Sequence, residues 1–355
     1  MGLIRLFLAL VVAADHWWVI NLVPKSIGPD DAYKFGFNAG YAVMFFYVIS
    51  GFLITYTLQR NYRLNATGIS AFYRNRFVRI FSLYWPLVLL TFVLVPDMWT
   101  RFVHADAWDK FTGIFLFGMD WRLSFASYPD PHFDAAIGGL HQAWTLGAEL
   151  TFYVLAPLLM RSWKIGAALL IGSFALRAYF VWKLGPDIHD IWTYHFVGTS
   201  FGFFMMGHLV CLFGRYLKSR VIGVYLVIAS FSFMGFAGPY ANFDTMRFWV
   251  SAVLFALSLP GLFDATKDIR WMNWAGNLSY PVYLVHTAVL ILITPAVFDF
   301  AFPVEAMAVR PAAYVSLAAF LVITTLAALV IHRLIEVPVA WTMRKLMMKS
   351  SVRFA

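Results

Sequence analysis

Counting residues along the apolar stretches places three ionisable residues of types that catalyse proton transfer at similar depth in separate stretches. They are His16, Glu149 and His286. Histidine is the usual general base near neutral pH, and a carboxylate partner can orient it or stabilise its charged form. Because ionisable groups are costly inside a membrane, these three are candidates for a catalytic site with His16 as the base. The alternative is a buried network that serves only the structure.

The first apolar stretch carries an arginine as well as a histidine. Arg5 precedes His16 by eleven positions. At 100° per residue, this spacing exceeds three helical turns by about 20°, so both side chains share a face, roughly 16 Å apart along the axis. The pair suits a long, thin ligand with an anionic end at Arg5 and a reactive group at His16. An arginine at the membrane rim and a structural histidine would have the same spacing.

A basic cluster follows the second apolar stretch. Its members Arg76 and Arg79 are three residues apart and share a helix face. Arginine forks suit phosphate groups, although a topology signal or a site for anionic lipid would use the same residues. The nine histidines and the single cysteine, Cys211, have no metal-ligand spacing, so no metal is predicted.

Ten apolar stretches must position these residues. The chain is 61% hydrophobic and 13% charged, far from the composition of a soluble domain. About 20 apolar residues cross a bilayer as a helix, so the pattern predicts an all-α polytopic membrane protein with about ten transmembrane helices. The stretches are residues 3–22, 36–58, 79–96, 142–160, 164–182, 194–214, 221–238, 246–263, 276–297 and 311–333.

The distribution of Lys and Arg predicts the orientation. A cytoplasmic N-terminus puts most of the 27 basic residues on the inner side, and both termini are then cytoplasmic. Residues 341–355 form a short basic cytoplasmic tail after a transmembrane domain over residues 1–340, and the acidic loop 97–141 faces outward. This rule explains the net charge of +9 without a nucleic-acid partner. The start resembles a signal peptide, but its apolar run continues past the possible cleavage site at Ala14.

Six short motifs occur in order along this frame. They are Arg5 with ten residues before His16, Phe45 to Ile54 with Ser50-Gly51, Arg76-Phe-Val-Arg79-Ile80 before Tyr84-Trp85, Trp144-Thr145-Leu146 to Glu149, Ser279-Tyr280 to His286, and Glu336-Val337-Pro338. In this combination the chain resembles acyltransferase family 3, multi-spanning bacterial acyltransferases that modify extracellular carbohydrates. Ser82 departs from the family's usual Pro, and Leu150-Thr151 from its usual Glu-Gln; both departures bear on substrate detail.

The resemblance implies an O-acyltransferase of the bacterial inner (plasma) membrane. Cytoplasmic acyl-CoA, most simply acetyl-CoA, would be the donor co-substrate, with no permanently bound cofactor. The acceptor would be an extracytoplasmic carbohydrate such as exopolysaccharide or O-antigen. By resemblance, the catalytic residues are His16, Glu149 and His286, and the donor-binding residues are Arg5, Ser50, Arg76, Arg79 and Tyr84.

Two other classes of function use the same residues differently. A transporter or flippase for a sugar or lipid-linked sugar would use the buried groups as a relay and would not turn over acyl-CoA. A membrane scaffold without enzymatic activity would make those groups dispensable. The acceptor, the acyl chain length, a covalent acyl-enzyme and the oligomeric state stay open at this point.

Overall fold

The computed structural model describes residues 1–21, 39–117, 139–184, 190–235, 245–292 and 310–352. Within these ranges the protein is helical and has no strand. The helices are α1 (Gly2–Asn21), α2 (Ala39–Asn61), α3 (Ala66–Leu94), α4 (Pro96–His104), α5 (Ala107–Leu116), α6 (Trp144–Leu159), α7 (Trp163–Leu184), α8 (Val197–Phe213), α9 (Arg220–Gly235), α10 (Met246–Thr266), α11 (Arg270–Leu292), α12 (Arg310–Ile331) and α13 (Val337–Val352).

The ten predicted stretches correspond to α1–α3 and α6–α12. In the described part of the chain, seven helices are long and apolar enough to cross a membrane: α2, α3, α7, α8 with the turn before it, α10, α11, and α12 together with α13. Helix α6 has 16 residues and rises only about 24 Å, less than the roughly 30 Å hydrocarbon core. The all-helical architecture with several membrane-length helices is confirmed, whereas ten complete crossings and the side of each terminus stay predictions.

Helix α3 begins well before the apolar stretch 79–96. Asn65 caps it, since its side chain accepts a hydrogen bond from the backbone N–H of Gly68 at 2.9 Å. The apolar stretch covers only the second half of this 29-residue helix. The basic cluster therefore lies on a rigid helix rather than in a loop, which fixes the direction of Arg76 and Arg79.

The predicted outer loop and basic tail are partly helical. Two short helices, α4 and α5, begin the loop, and Asp106 caps α5 by accepting from the backbone N–H of Asp109 at 2.6 Å. Residues 118–138 of that loop lie outside the described residues, as do residues 353–355 of the tail. The described part of the tail belongs to α13, which continues α12 through a π-helical turn at His332–Glu336.

Close backbone approaches hold the central helices together. Helix α1 packs against α11 and α2, and α2 also packs against α8. At the α2–α8 crossing, a Cβ atom on Gly207 would overlap the carbonyl oxygen of Val48, and one on Gly51 would overlap that of Phe204. Small residues allow such approaches between membrane helices. This crossing fixes the position of Ser50, the neighbour of Gly51, in the interior of the bundle.

Candidate active site

Two histidines from the opposite ends of the chain meet between α1 and α11. His16 Nδ1 and His286 Nε2 are 2.8 Å apart, a hydrogen-bond distance. The ring centroids are 5.0 Å apart, and His286 is fully buried. Two of the three predicted catalytic residues are thus in direct contact.

The surroundings of His286 determine which nitrogen carries each proton. His286 Nδ1 lies 3.3 Å from the carbonyl oxygen of Val282, which can only accept a hydrogen bond. We therefore assign the proton of neutral His286 to Nδ1, so that its Nε2 accepts from His16 Nδ1–H. In this arrangement, the lone pair of His16 lies on Nε2, where a general base needs it.

Gln142 holds the helix that carries His286. Its Nε2 donates to the carbonyl oxygens of Leu284 at 2.9 Å and Tyr283 at 3.2 Å, and its Oε1 accepts from the hydroxyl of Thr287. Gln142 is only 2% exposed and lies in the 3-10 turn before α6. It therefore joins α6 to α11 near the histidine pair. Gln142 is not among the candidate residues predicted from the sequence, although it lies two positions before the Trp144 motif.

Glu149 has different partners from those that its predicted role requires. Its Oε1 accepts from the Ser50 hydroxyl at 2.9 Å and from the Tyr153 hydroxyl at 2.5 Å. Among the described residues, no hydrogen bond joins it to His16. The depth of Glu149 in its helix suggested a partner for His16, but the packing of α6 beside α2 turns the carboxylate to Ser50. Its catalytic role stays a prediction.

Two adjoining cavities follow the interior of the bundle. They contain about 530 and 540 Å³ of empty space, part of which is open to the outside, and they share Arg5, Ser50, Glu149 and Tyr280 in their walls. The first extends towards Thr145, Leu146 and Tyr283, and the second towards Arg76, Arg79 and Tyr153.

The first cavity ends beside the histidine pair, because the rings of Tyr283 and His286 are 6.0 Å apart. The Tyr283 and Thr145 hydroxyl oxygens are 2.8 Å apart and form the polar wall at this end. Neither histidine is in the lining of the two cavities. The path thus runs from three arginines, past Glu149, to a tyrosine that packs on His286. The sequence had placed Tyr283 only in a family motif, without a role.

The second cavity carries more positive than negative charge. Arg5, Arg76 and Arg79 line it, with Glu149 as the acidic residue in its wall. Arg76 Nε is buried and has no hydrogen-bond partner in the described structure, while its guanidinium lies 5.7 Å from the rings of both Phe72 and Tyr153. A buried donor without a partner is energetically unfavourable. This cavity is therefore suited to an anionic ligand that accepts hydrogen bonds.

The structure gives Tyr84 a different environment from the other predicted donor-binding residues. It is fully buried in α3, and its hydroxyl donates to the carbonyl oxygen of Gly113 at 2.6 Å. It does not line either of the two cavities. This hydrogen bond attaches α5 to α3, and a contact between Tyr84 and the donor stays a prediction.

Comparison with known proteins adds evidence of a different kind. Residues 1–333 match a family model described as an acyltransferase domain, that of acyltransferase family 3. Nodulation protein 10 of Rhizobium leguminosarum bv. viciae is 25% identical over 224 residues, which cover 59% of this chain and 59% of that protein's length. No solved structure matches the chain.

Proposed function

Since the chain belongs to acyltransferase family 3, we propose that it transfers an acyl group, most simply acetyl, from cytoplasmic acyl-CoA to a hydroxyl of an extracytoplasmic carbohydrate. The observation that carries the proposal is the interior path from the arginines of the second cavity to Tyr283 beside the His16–His286 pair. A donor with a phosphorylated head and a reactive thioester at the end of a long arm matches this distribution of charge.

The phosphates of CoA would bind at the end of the path that Arg76 and Arg79 line. Guanidinium groups donate two parallel hydrogen bonds to phosphate oxygens, and Arg76 Nε has a proton to donate. The arginine end would face the cytoplasm, in agreement with the excess of basic residues predicted on that side. An inner-membrane location with both termini inside belongs to the same proposal.

The pantetheine arm would pass Arg5, Ser50 and Glu149, which line both cavities. The Glu149 carboxylate is held by Ser50 and Tyr153, so it offers a fixed acceptor to the amide N–H groups of the arm. The thioester would then lie near Tyr283, with the acceptor hydroxyl approaching His16 from the outer side.

The reaction follows from the proton positions of the histidine pair. His16 Nε2 removes the proton of the acceptor hydroxyl while its oxygen attacks the thioester carbonyl, and a tetrahedral intermediate forms. The C–S bond then breaks, the proton passes from His16 to the CoA sulfur, and an O-acyl ester is released. His286 Nε2 accepts from His16 Nδ1–H throughout and stabilises the imidazolium that exists between the two steps.

Two sets of substitutions separate chemistry from donor binding in the purified protein with labelled acetyl-CoA and a panel of carbohydrates. His16→Ala is expected to lower the transfer rate by at least about 10²-fold, as expected for loss of a general base, with the affinity for CoA largely retained. Replacing both Arg76 and Arg79 with Ala should weaken CoA binding instead. His104→Ala is the matched control, because His104 is exposed and lies in the short helix α4.

Each result decides between functions. Unchanged CoA affinity in the double arginine variant would contradict the phosphate-binding assignment. If the wild type transferred no acyl group to any acceptor but moved sugars across liposomes, the transport function would replace the proposal.

A further inference from the structure

A π-helical turn interrupts the long helix formed by α12 and α13. It covers His332–Glu336, and the backbone N–H of Val337 donates to the carbonyl oxygen of His332, five residues earlier. Such turns are rare and are found frequently at functional sites, because the additional residue rotates the side chains that follow. Here the turn contains three ionisable residues, His332, Arg333 and Glu336, of which His332 and Glu336 are hydrogen-bonded to each other.

Each carboxylate oxygen of Glu336 has a hydrogen-bond partner. Its Oε1 accepts from Arg79 Nη1 at 3.0 Å, and its Oε2 pairs with His332 Nδ1 at 2.6 Å. The side chain is only 5% exposed. A buried carboxylate held at both oxygens has little freedom, so it can hold the guanidinium in one orientation.

Arg79 is held from a second direction by Tyr280. Its guanidinium lies 5.2 Å from the centre of the Tyr280 ring, and the Tyr280 hydroxyl donates to the carbonyl oxygen of Ile80 at 2.6 Å. Arg79 is 30% exposed on its side chain and lines the second cavity. Glu336 and His332 are not in the lining of that cavity. A ligand in the cavity would therefore be influenced by Glu336 through Arg79.

We propose that Glu336 and His332 are positioning residues, which orient the Arg79 guanidinium for a phosphate group of the donor. This inference rests on the proposed function, since it assumes that the cavity binds acyl-CoA. Loss of the Glu336 carboxylate changes the affinity for an anion in two opposite ways, one through charge and one through the orientation of Arg79. Removing a carboxylate raises the positive charge near the cavity and would strengthen anion binding if charge alone mattered. Loss of orientation weakens binding instead, so the sign of the change separates the two.

A double-mutant cycle between Glu336 and Arg79 tests the inference. The dissociation constant of CoA and the KM and kcat for acetyl-CoA are measured for Glu336→Ala, Arg79→Ala and the double variant. We expect Glu336→Ala to raise the dissociation constant and KM about tenfold with little change in kcat, a change of about 1.4 kcal/mol in binding. In the Arg79→Ala background, the same substitution should change the affinity less than about twofold, because its effect requires Arg79.

His332 supplies a finer test with a conservative partner. His332→Ala removes the donor to Glu336 Oε2 and is expected to raise KM about threefold, within the range for loss of one hydrogen bond. His332→Asn keeps an N–H donor near the position of Nδ1 and should restore the wild-type value. If Glu336→Ala does not fold, Glu336→Gln is the second variant. It keeps an acceptor for Arg79 but loses the acceptor for His332 Nδ1–H, so it should raise KM about threefold, as His332→Ala does, and tighter CoA binding by this variant would contradict the positioning role.

The outcomes distinguish this inference from the proposed function. Tighter CoA binding by Glu336→Ala would show a charge effect and overturn the positioning role, as would an equal loss with and without Arg79. If Arg79→Ala itself left CoA binding unchanged, the donor site of the proposed function would be wrong.

Discussion

At the scale of single residues, the contact between His16 and His286 defines the proposed chemistry. An imidazole without a partner must pay the whole cost of becoming charged in a low-dielectric interior. His286 Nε2 offers an acceptor to His16 Nδ1–H at 2.8 Å and so reduces this cost. The buried carbonyl oxygen of Val282 keeps His286 in the tautomer that can do so.

Substitutions of His286 test this hydrogen bond. His286→Gln keeps a side-chain acceptor, and we expect a fall in kcat of about tenfold, whereas His286→Phe removes the acceptor and should lower kcat about 10²-fold, as for loss of a stabilising contact to a charged group. The KM for acetyl-CoA should change little in both. Turnover measured at saturating donor checks the prediction, and equal kcat values for the two variants would contradict it.

The sequence indicated the depth of these side chains but not their neighbours. Counting residues along each helix placed His16, Glu149 and His286 at similar depth, because the rise per residue is constant. It then suggested Glu149 as the carboxylate beside His16. In the structure, Glu149 bonds to Ser50 and Tyr153, while His286 is the neighbour of His16. Depth is a local property, whereas lateral neighbours depend on how helices are arranged.

At the scale of elements, the α2–α8 crossing positions one side of the site. The backbones approach so closely at Gly207 that a methyl group would overlap the carbonyl oxygen of Val48. Ser50 lies two positions further along α2 and donates to Glu149. A change in the distance between α2 and α8 would therefore move Ser50, which lines both cavities.

We predict that Gly207→Ala destabilises the protein and lowers activity. Overpacking typically costs about 1–3 kcal/mol, and separation of α2 from α8 would displace Ser50. Gly172→Ala is a matched control, because Gly172 is an exposed helical glycine with no atom within 4 Å of the added Cβ. It should be neutral or stabilising by about 0.5–1 kcal/mol. Thermal unfolding in detergent compares the two, and equal midpoints would contradict the packing argument.

The boundaries of the elements show what an apolar pattern detects. Apolar runs of about 20 residues predict the membrane-length helices, because a helix must be mostly apolar over that length to cross the hydrocarbon core. This pattern does not include the polar first half of α3 and its cap at Asn65, since a basic helical turn lowers the mean hydropathy of that segment. The π-helical turn at His332–Glu336 was also outside its reach, because apolar periodicity does not specify one additional residue in a turn.

At the scale of the whole molecule, the proposal requires that the arginine-lined end of the path faces the cytoplasm. The positive-inside distribution of Lys and Arg supports this orientation. The loop between α2 and α3 and the short helix α4 should then lie on opposite sides of the membrane. Both contain an exposed residue, Leu64 or Trp99, at which a cysteine would be accessible to a thiol reagent. Trp99→Cys also removes ring contacts with Phe92 and Phe102, so the folding of this variant is checked first.

Cysteine labelling tests this orientation directly. In a Cys211→Ser background, which removes the single native thiol, Leu64→Cys should react with an impermeant reagent only in inverted vesicles. Trp99→Cys should react from the outside of intact spheroplasts. If the reverse labelling pattern were found, the arginine-lined end of the path would face the outside of the cell. Cytoplasmic acyl-CoA could not reach it there, and the proposed function would be wrong.

The helical class, the positions of the apolar helices and the common helix face of Arg5 and His16 were all predictable from the order of the amino acids. These follow from hydrogen bonds within one helix and from the solvent around it, which act over a few residues. The contacts of His16 with His286 and of Arg79 with Glu336 were not predictable in this way, because they join residues separated by 270 and 257 positions. Such pairs depend on many small packing contacts between helices, including the glycine crossing of α2 and α8. The pattern of residues within one helix does not predict which helices pack together.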